Sequence, residues 1–190
     1  ELHPDVTLSL NLSDRVVDLA AEGYDCGVRV GDFPDSSLVS VRLADNRRLC
    51  VATPDYLRRH GTPAHPDDLT RFDCLVLSSE ASQTRGWAFR DEGEVLYLRP
   101  AGPLDCSDGQ VLHDWCLQGR GIAWRSTWEV EADIAAGRLV EVLADYAAPP
   151  NGIYAVFPQR RHLALRVRLW IDYLRHQFGL SGLGRPVTAL

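Results

Sequence analysis

Apolar and polar positions alternate through Val6-Thr7-Leu8-Ser9-Leu10-Asn11-Leu12, which predicts a strand with one buried face. Ser13 then stands where a helix cap would, followed by Val16, Val17 and Ala20 at helical spacing, with Gly23 as the stop. Tyr24 to Val30 reads as a second strand, so the start of the chain is expected to form a β-α-β unit with parallel strands. Gly31 to Ser37 is a loop by composition.

Leu38 to Leu43 and Arg48 to Ala52 are apolar-rich strands broken by Asp45-Asn46. Thr53-Pro54 opens a short helix that Gly61 closes, because proline suits the first helical position. Pro63 to Asp68 reads as a connector, Cys74 to Leu77 as a buried strand, and Ser78 to Gly86 as a polar, irregular stretch. Trp87 to Phe89 and Val95 to Leu98 flank Asp91-Glu92-Gly93-Glu94, the pattern of a hairpin.

Ser107 and Gln110 have capping-box spacing ahead of Val111, Leu112, Trp115 and Cys116, a helix that Gly119 ends. Ser126 and Glu129 repeat that spacing after the strand Gly121 to Trp124, and Gly137 ends the second helix. Strands follow at Leu139 to Leu143 and Ile153 to Phe157. The strongest period is the last: Leu163, Val167, Trp170, Ile171, Leu174 and Phe178 share one helical face up to Gly179. Leu180 to Leu190 reads as a loose tail, and the alternation of strands and helices makes this an α/β protein.

The composition, 45% apolar and 24% charged, fits a soluble globular protein. No run approaches the roughly 18 apolar residues of a membrane span, and Glu1 to Asp5 has no signal-peptide character. The absence of methionine reads as a fragment or processed chain. The net charge of −6 argues against gripping a phosphate backbone unaided. Cys26, Cys50, Cys74, Cys106 and Cys116 are odd in number, widely spaced and without a C-x-x-C pair, which points to reduced, packed thiols.

Catalytic patterns do not assemble. There is no G-x-S-x-G, H-E-x-x-H or phosphate-binding glycine loop, lysine is absent, and Gly119-Arg120-Gly121 is better explained as a helix stop. His60 and His65 near Asp67 and Asp68 lack strict ligand spacing, so neither metal nor cofactor is expected.

Several segments, in order, resemble the LysR-type transcription regulators. They are Ser13-Asp14-Arg15-Val16-Val17-Asp18-Leu19-Ala20-Ala21-Glu22-Gly23-Tyr24-Asp25, Val28-Arg29-Val30-Gly31 and Pro34-Asp35-Ser36-Ser37-Leu38. Leu49 to Leu57, Gly137 to Leu143 and Tyr154 to Pro158 with Arg160-Arg161-His162 complete the set. The resemblance implies an effector-binding domain with the type 2 periplasmic-binding-protein-like fold, two α/β subdomains joined by two crossing strands.

On that reading 1–52 and 155–180 form subdomain I, 53–154 subdomain II and 181–190 the tail, with Arg48 to Ala52 crossing outward and Ile153 to Phe157 returning. A strand and helix of the family pattern, preceding the segment that matches Glu1 to Asp5, are missing from this sequence. That strand would lie between Val6 to Leu12 and Tyr24 to Val30. The resemblance also implies a homodimer or tetramer that is cytoplasmic, binds a small-molecule effector and reaches DNA only through an N-terminal winged helix-turn-helix outside this chain. The rival is a free-standing periplasmic solute-binding protein of the same fold class.

Ligands in such folds sit beyond the carboxyl ends of the strands, where helix N-termini present unpaired N–H groups that suit anions. The candidate effector-binding residues are Ser13 and Asp14 in one subdomain, and Ser78, Ser79, Ser107, Asp108, Arg125 and Ser126 in the other. Ser13 and Ser107 can cap helices, line the site, or do both; Arg125 is either a solvated surface arginine or a ligand contact. Asp14 and Asp108 partly offset the helix dipoles, which favours a purely anionic ligand less than the dipoles alone would.

Overall fold

The structure, a computed structural model, describes residues 5–13, 17–31, 38–78, 86–147, 149–159 and 164–180. Two compact units divide the chain at Asp45/Asn46 and again at Pro150/Asn151.

The first unit holds a three-stranded sheet in the order β1 (Gly27–Val30), β10 (Asn151–Pro158), β2 (Leu38–Asn46). β1 runs antiparallel to β10, pairing Gly27 with Val156 and Val30 with Ile153. The last helix, α4 (Leu165–Leu180), follows from the period read in the sequence. Its Val167 and Ile171 are buried with Leu43, Ala44, Ile153, Ala155 and Phe157, and Leu174 and Phe178 pack on that cluster. Leu163 lies outside the described residues.

The second unit is built on a five-stranded sheet, β7 (Asp105–Cys106), β4 (Cys74–Leu77), β8 (Ile122–Ser126), β3 (Arg48–Ala52), β9 (Val140–Val142) in spatial order. β4 is parallel to β7 and β8, while β3 is antiparallel to β8 and β9. Helices α2 (Gly109–Leu117) and α3 (Thr127–Ala135) join Leu49, Val51, Leu75, Ala123 and Leu139 in one apolar cluster. A second cluster, on the alternate residues Cys50, Ala52, Cys74 and Ile122, takes Tyr56 from α1 (Pro54–His60), Leu69, and Trp87 and Phe89 from a hairpin. With both faces covered, the sheet strands read as apolar runs rather than alternations.

Local chemistry explains the ends. Thr53 caps α1 through Tyr56 N–H at 3.2 Å, and Gly61 closes it at φ +86°. The expected connector Pro63 to Asp68 instead runs into a 3₁₀ helix, Pro66–Arg71. His65 caps it and Asp68 reaches back to the His65 N–H at 3.1 Å. The hairpin joins β5 (Trp87–Asp91) to β6 (Glu94–Leu98), as its sequence predicts. Both turn residues have positive φ, Glu92 at 47° and Gly93 at 91°. A glutamate is strained there and asparagine is not, so Glu92→Asn should raise stability by about 0.5–1 kcal/mol. The denaturant midpoint should rise with an unchanged slope.

Two expectations fail. Val6 to Leu12 forms no strand: Val6, Leu8, Leu10 and Leu12 are all exposed, and no described residue forms a strand ladder with the segment. Alternation supplies an apolar face but not the neighbour whose N–H and C=O groups a strand needs. The parallel β-α-β unit is therefore absent; β1 starts at Gly27 and pairs antiparallel with β10. The expected helix is also not seen where described: Asp14 to Val16 lie outside the described residues, and Leu19 to Gly23 is a turn closed by Tyr24 N–H to Leu19 C=O at 2.9 Å. Leu19 is buried but Ala20, expected inward, is exposed. Arg48–Ala52 lies in the second unit, flanked by β8 and β9, and follows β2 after Arg47 alone.

Candidate functional site

Because β7, β4 and β8 are parallel, their carboxyl ends finish along one edge. Leu77 lies beside Cys106, and Leu75 beside Ala123, which puts Ser78, Ser107-Asp108 and Arg125-Ser126 together at that edge. The Ser78 N–H donates to Cys106 C=O at 2.7 Å, tying the first two segments. Five of the eight sequence-expected residues thus share a neighbourhood in the second unit. Ser13 is exposed in the first unit; Asp14 and Ser79 lie outside the described residues.

The cap of α2 is Asp108, not Ser107. Its Oδ1 accepts the Val111 N–H at 2.9 Å, while Gln110, expected to complete a box with Ser107, donates to Asp114 at 3.0 Å. A carboxylate one residue nearer the helix is the better acceptor for a positive helix end. Ser107 is left exposed. Asp108→Ala should cost about 0.5–2 kcal/mol, and Ser107→Ala close to nothing, in paired denaturant melts.

The box at the start of α3 forms as the spacing predicts: Glu129 Oε2 accepts the Ser126 N–H at 2.8 Å. Asn46, buried to 3%, donates to Ser126 Oγ at 3.4 Å and accepts from Thr127 Oγ1 at 3.3 Å. Arg125 is not solvated. It is 3% exposed, its Nη2 donates to Glu129 Oε1 at 2.6 Å, and its Nε is shut away from solvent without a partner. Glu129 therefore serves two donors at once, Arg125 and the helix end. The positive partial charges of α2, α3 and Arg125 meet the carboxylates of Asp108 and Glu129, so the edge is close to electrically balanced.

Sequence reasoning missed Asn46, Glu129 as the partner of Arg125, and a cluster behind the edge. His113 on α2 and Asp133 on α3 are both buried and meet at 2.8 Å, Nε2 to Oδ2. Arg138 Nε donates to the other oxygen at 2.6 Å. Burial alone would raise the Asp133 carboxyl, but the bonds from Arg138 and His113 hold it below its usual range. A depressed carboxylate pKa gives stability that is present above its unfolded value, about 3.9, and is lost as pH falls through the folded one. Asp133→Asn should therefore flatten the acid limb of a stability–pH curve below about pH 4; an unchanged limb assigns it elsewhere.

The thiols are core groups. Burial pushes Cys74 and Cys116 up to about 12 and Cys26 to about 11, and Cys50 rises by burial too, so none of these four is a ready nucleophile. Cys106 is half-buried with its Sγ 3.1 Å from Asp108 C=O. His65 and Asp91 meet at 3.3 Å, linking the 3₁₀ helix to the hairpin. Among the described residues no helix is long and apolar enough to cross a membrane.

Residues 1–179 match the family model described as the LysR substrate binding domain. The chain is 37% identical over 176 residues to the HTH-type transcriptional regulator DmlR of Escherichia coli, covering 93% of this chain and 57% of that protein. It is 31% identical to the transcriptional activator TtdR of the same organism, covering 90% and 55%. The chain thus spans little more than half the length of these relatives, which are transcription regulators and not periplasmic proteins. Among solved structures, the regulatory domain of CrgA from Neisseria meningitidis superposes with a TM-score of 0.73 at 31% identity, covering 86% of this chain and 79% of that one. Full-length AphB, a Vibrio cholerae virulence activator, superposes at 0.76 with 27% identity, covering 93% and 59%. The chain therefore belongs to the LysR substrate-binding domain family, the effector-binding domains of LysR-type regulators, with their type 2 periplasmic-binding-protein-like fold.

Proposed function

We propose that this chain is the sensing part of a cytoplasmic, non-catalytic LysR-type regulator that binds a small molecule and biases DNA binding by a winged helix-turn-helix carried elsewhere in the same protein. The carrying observation is the 37% identity to a transcription regulator across 93% of the chain. The regulator works as a homodimer or tetramer, and effector binding shifts the balance between arrangements of its subunits.

The effector is held at the carboxyl edge of the second unit's sheet by Ser78, Ser107, Asp108, Arg125 and Ser126; Ser13, Asp14 and Ser79 are the further effector-binding residues of this reading. In this reading the two compact units are the two subdomains. The geometry supports donors at this edge, since Ser107 is exposed and free of the cap role. A small carboxylate that also carries hydroxyl groups suits the edge better than a bare anion, because Asp108 and Glu129 already balance its positive charge and accept hydrogen bonds.

Thermal-shift screening of hydroxylated and plain carboxylates, sugars and amino acids tests this. A ligand that binds only the folded chain adds about 2.7 kcal/mol of stability at a hundredfold excess over its Kd. Hydroxy-carboxylates should head the ranking; a ranking headed by amines or sugars contradicts the assignment. The chain alone should bind duplex DNA weakly, given its net charge of −6, and sub-micromolar binding at physiological salt argues against it.

A further inference from the structure

The His113–Asp133 pair stands out because it is polar where its surroundings are not. Leu112 and Cys116 of α2 and Val130 of α3 belong to one apolar cluster with Leu139, and both members of the pair are buried beside it. His113 Nε2 lies 2.8 Å from Asp133 Oδ2, while His113 Nδ1 is buried with no hydrogen-bond partner. Asp133 is anchored from its own side: Arg138 Nε holds Oδ1 at 2.6 Å, and the Arg138 N–H returns to Asp133 C=O at 2.8 Å across the Gly137 turn. The carboxylate is thus fixed to α3 and offers one free oxygen to α2.

Two apolar residues of matching size would fill this place without leaving a buried ring nitrogen unmet, and such replacements are often neutral or stabilising. What apolar contact lacks is direction. Leu112, Cys116 and Val130 tolerate sliding, whereas a one-residue slip, about 1.5 Å along a helix, would break the bond and strand both groups. His113 follows the cap Asp108 by five residues, about 7.5 Å, and Asp133 follows the cap Ser126 by seven, about 10.5 Å. The pair therefore sits within two turns of both helix starts.

We propose that His113 and Asp133 are positioning residues: their hydrogen bond sets the register of α2 against α3, and with it the placement of Asp108 and Ser126 at the sheet edge, without adding net stability. That this register serves effector binding rests on the function proposed above; the register itself does not.

The test uses the full chain, with thermal melting and site-resolved amide hydrogen exchange, on the double variant His113→Leu/Asp133→Leu and on His113→Gln. The double variant should melt at or above the parent temperature. Its Val111 and Val130 amides should nonetheless exchange about tenfold faster or more, with Val51 and Ala123 in the sheet unchanged. His113→Gln, whose amide can still donate to Asp133, should keep the parent exchange pattern. A double variant that fails to fold or melts well below the parent overturns the proposal, because the pair is then a stability element. A double variant with parent exchange at Val111 and Val130 overturns it as well. Neither readout involves a ligand, so failure here is distinct from failure of the effector reading.

Discussion

Truncating Glu129 to alanine should destabilise the chain by about 3–5 kcal/mol, the cost of leaving a buried charge without its partner. Arg125 is 3% exposed, Glu129 lies 2.6 Å from its Nη2, and Arg125 Nε is already unmet. The same carboxylate accepts the Ser126 N–H, so the variant also loses half of the box at the start of α3. Glu129→Gln keeps an acceptor for Ser126 while removing the charge, and should fall between the two. Urea unfolding of the three proteins measures this. A loss below about 1 kcal/mol for Glu129→Ala, the scale of an exposed pair, would mean that Arg125 reaches water.

The second large effect is expected at Leu112, which is 1% exposed on the sheet-facing side of α2. Leu112→Ala leaves a cavity beneath the helix and should cost about 2–5 kcal/mol. Its neighbour Val111, 40% exposed, should tolerate alanine with little change. Equal losses at the two positions would contradict the orientation of α2 and with it the placement of the Asp108 end.

Val111 and Leu112 also mark how far the sequence could be read. The helix between the capping residues and Gly119 was legible from spacing, but spacing alone does not rank two adjacent apolar residues. α4 was legible because Val167, Trp170, Ile171, Leu174 and Phe178 recur at spacings of three and four that a strand does not satisfy, and the hairpin because Asp91 to Glu94 separates two β-rich runs. The box of Ser126 with Glu129 was visible, yet its second use was not. Residues 125 and 129 span a strand end and a helix start, and that a carboxylate there turns back onto a strand arginine depends on the tertiary fold.

Val6 to Leu12 shows the converse. Its alternation names a face without naming a neighbour, and in the structure all four apolar side chains are exposed. Ser107 and Asp108 are consecutive candidates for one cap, and the contest is decided by carboxylate strength rather than by pattern. Arg48–Ala52 was legible as a buried strand; which sheet it joins is set by pairing with β8 and β9, far away in sequence. His113 and Asp133 are twenty residues apart on separate helices, and nothing in either helix points to the other.

The most direct test of the central claim is an NMR titration of the isotope-labelled chain with the hydroxy-carboxylate that ranks highest in the thermal-shift screen. Binding at the carboxyl edge of the sheet predicts saturable amide shifts concentrated at Ser78, Ser107, Asp108, Arg125 and Ser126, with the hairpin residues Phe89 to Leu96 unmoved. Saturable shifts gathered on the hairpin or on α1 would contradict it, as would a titration that moves no amide at the edge.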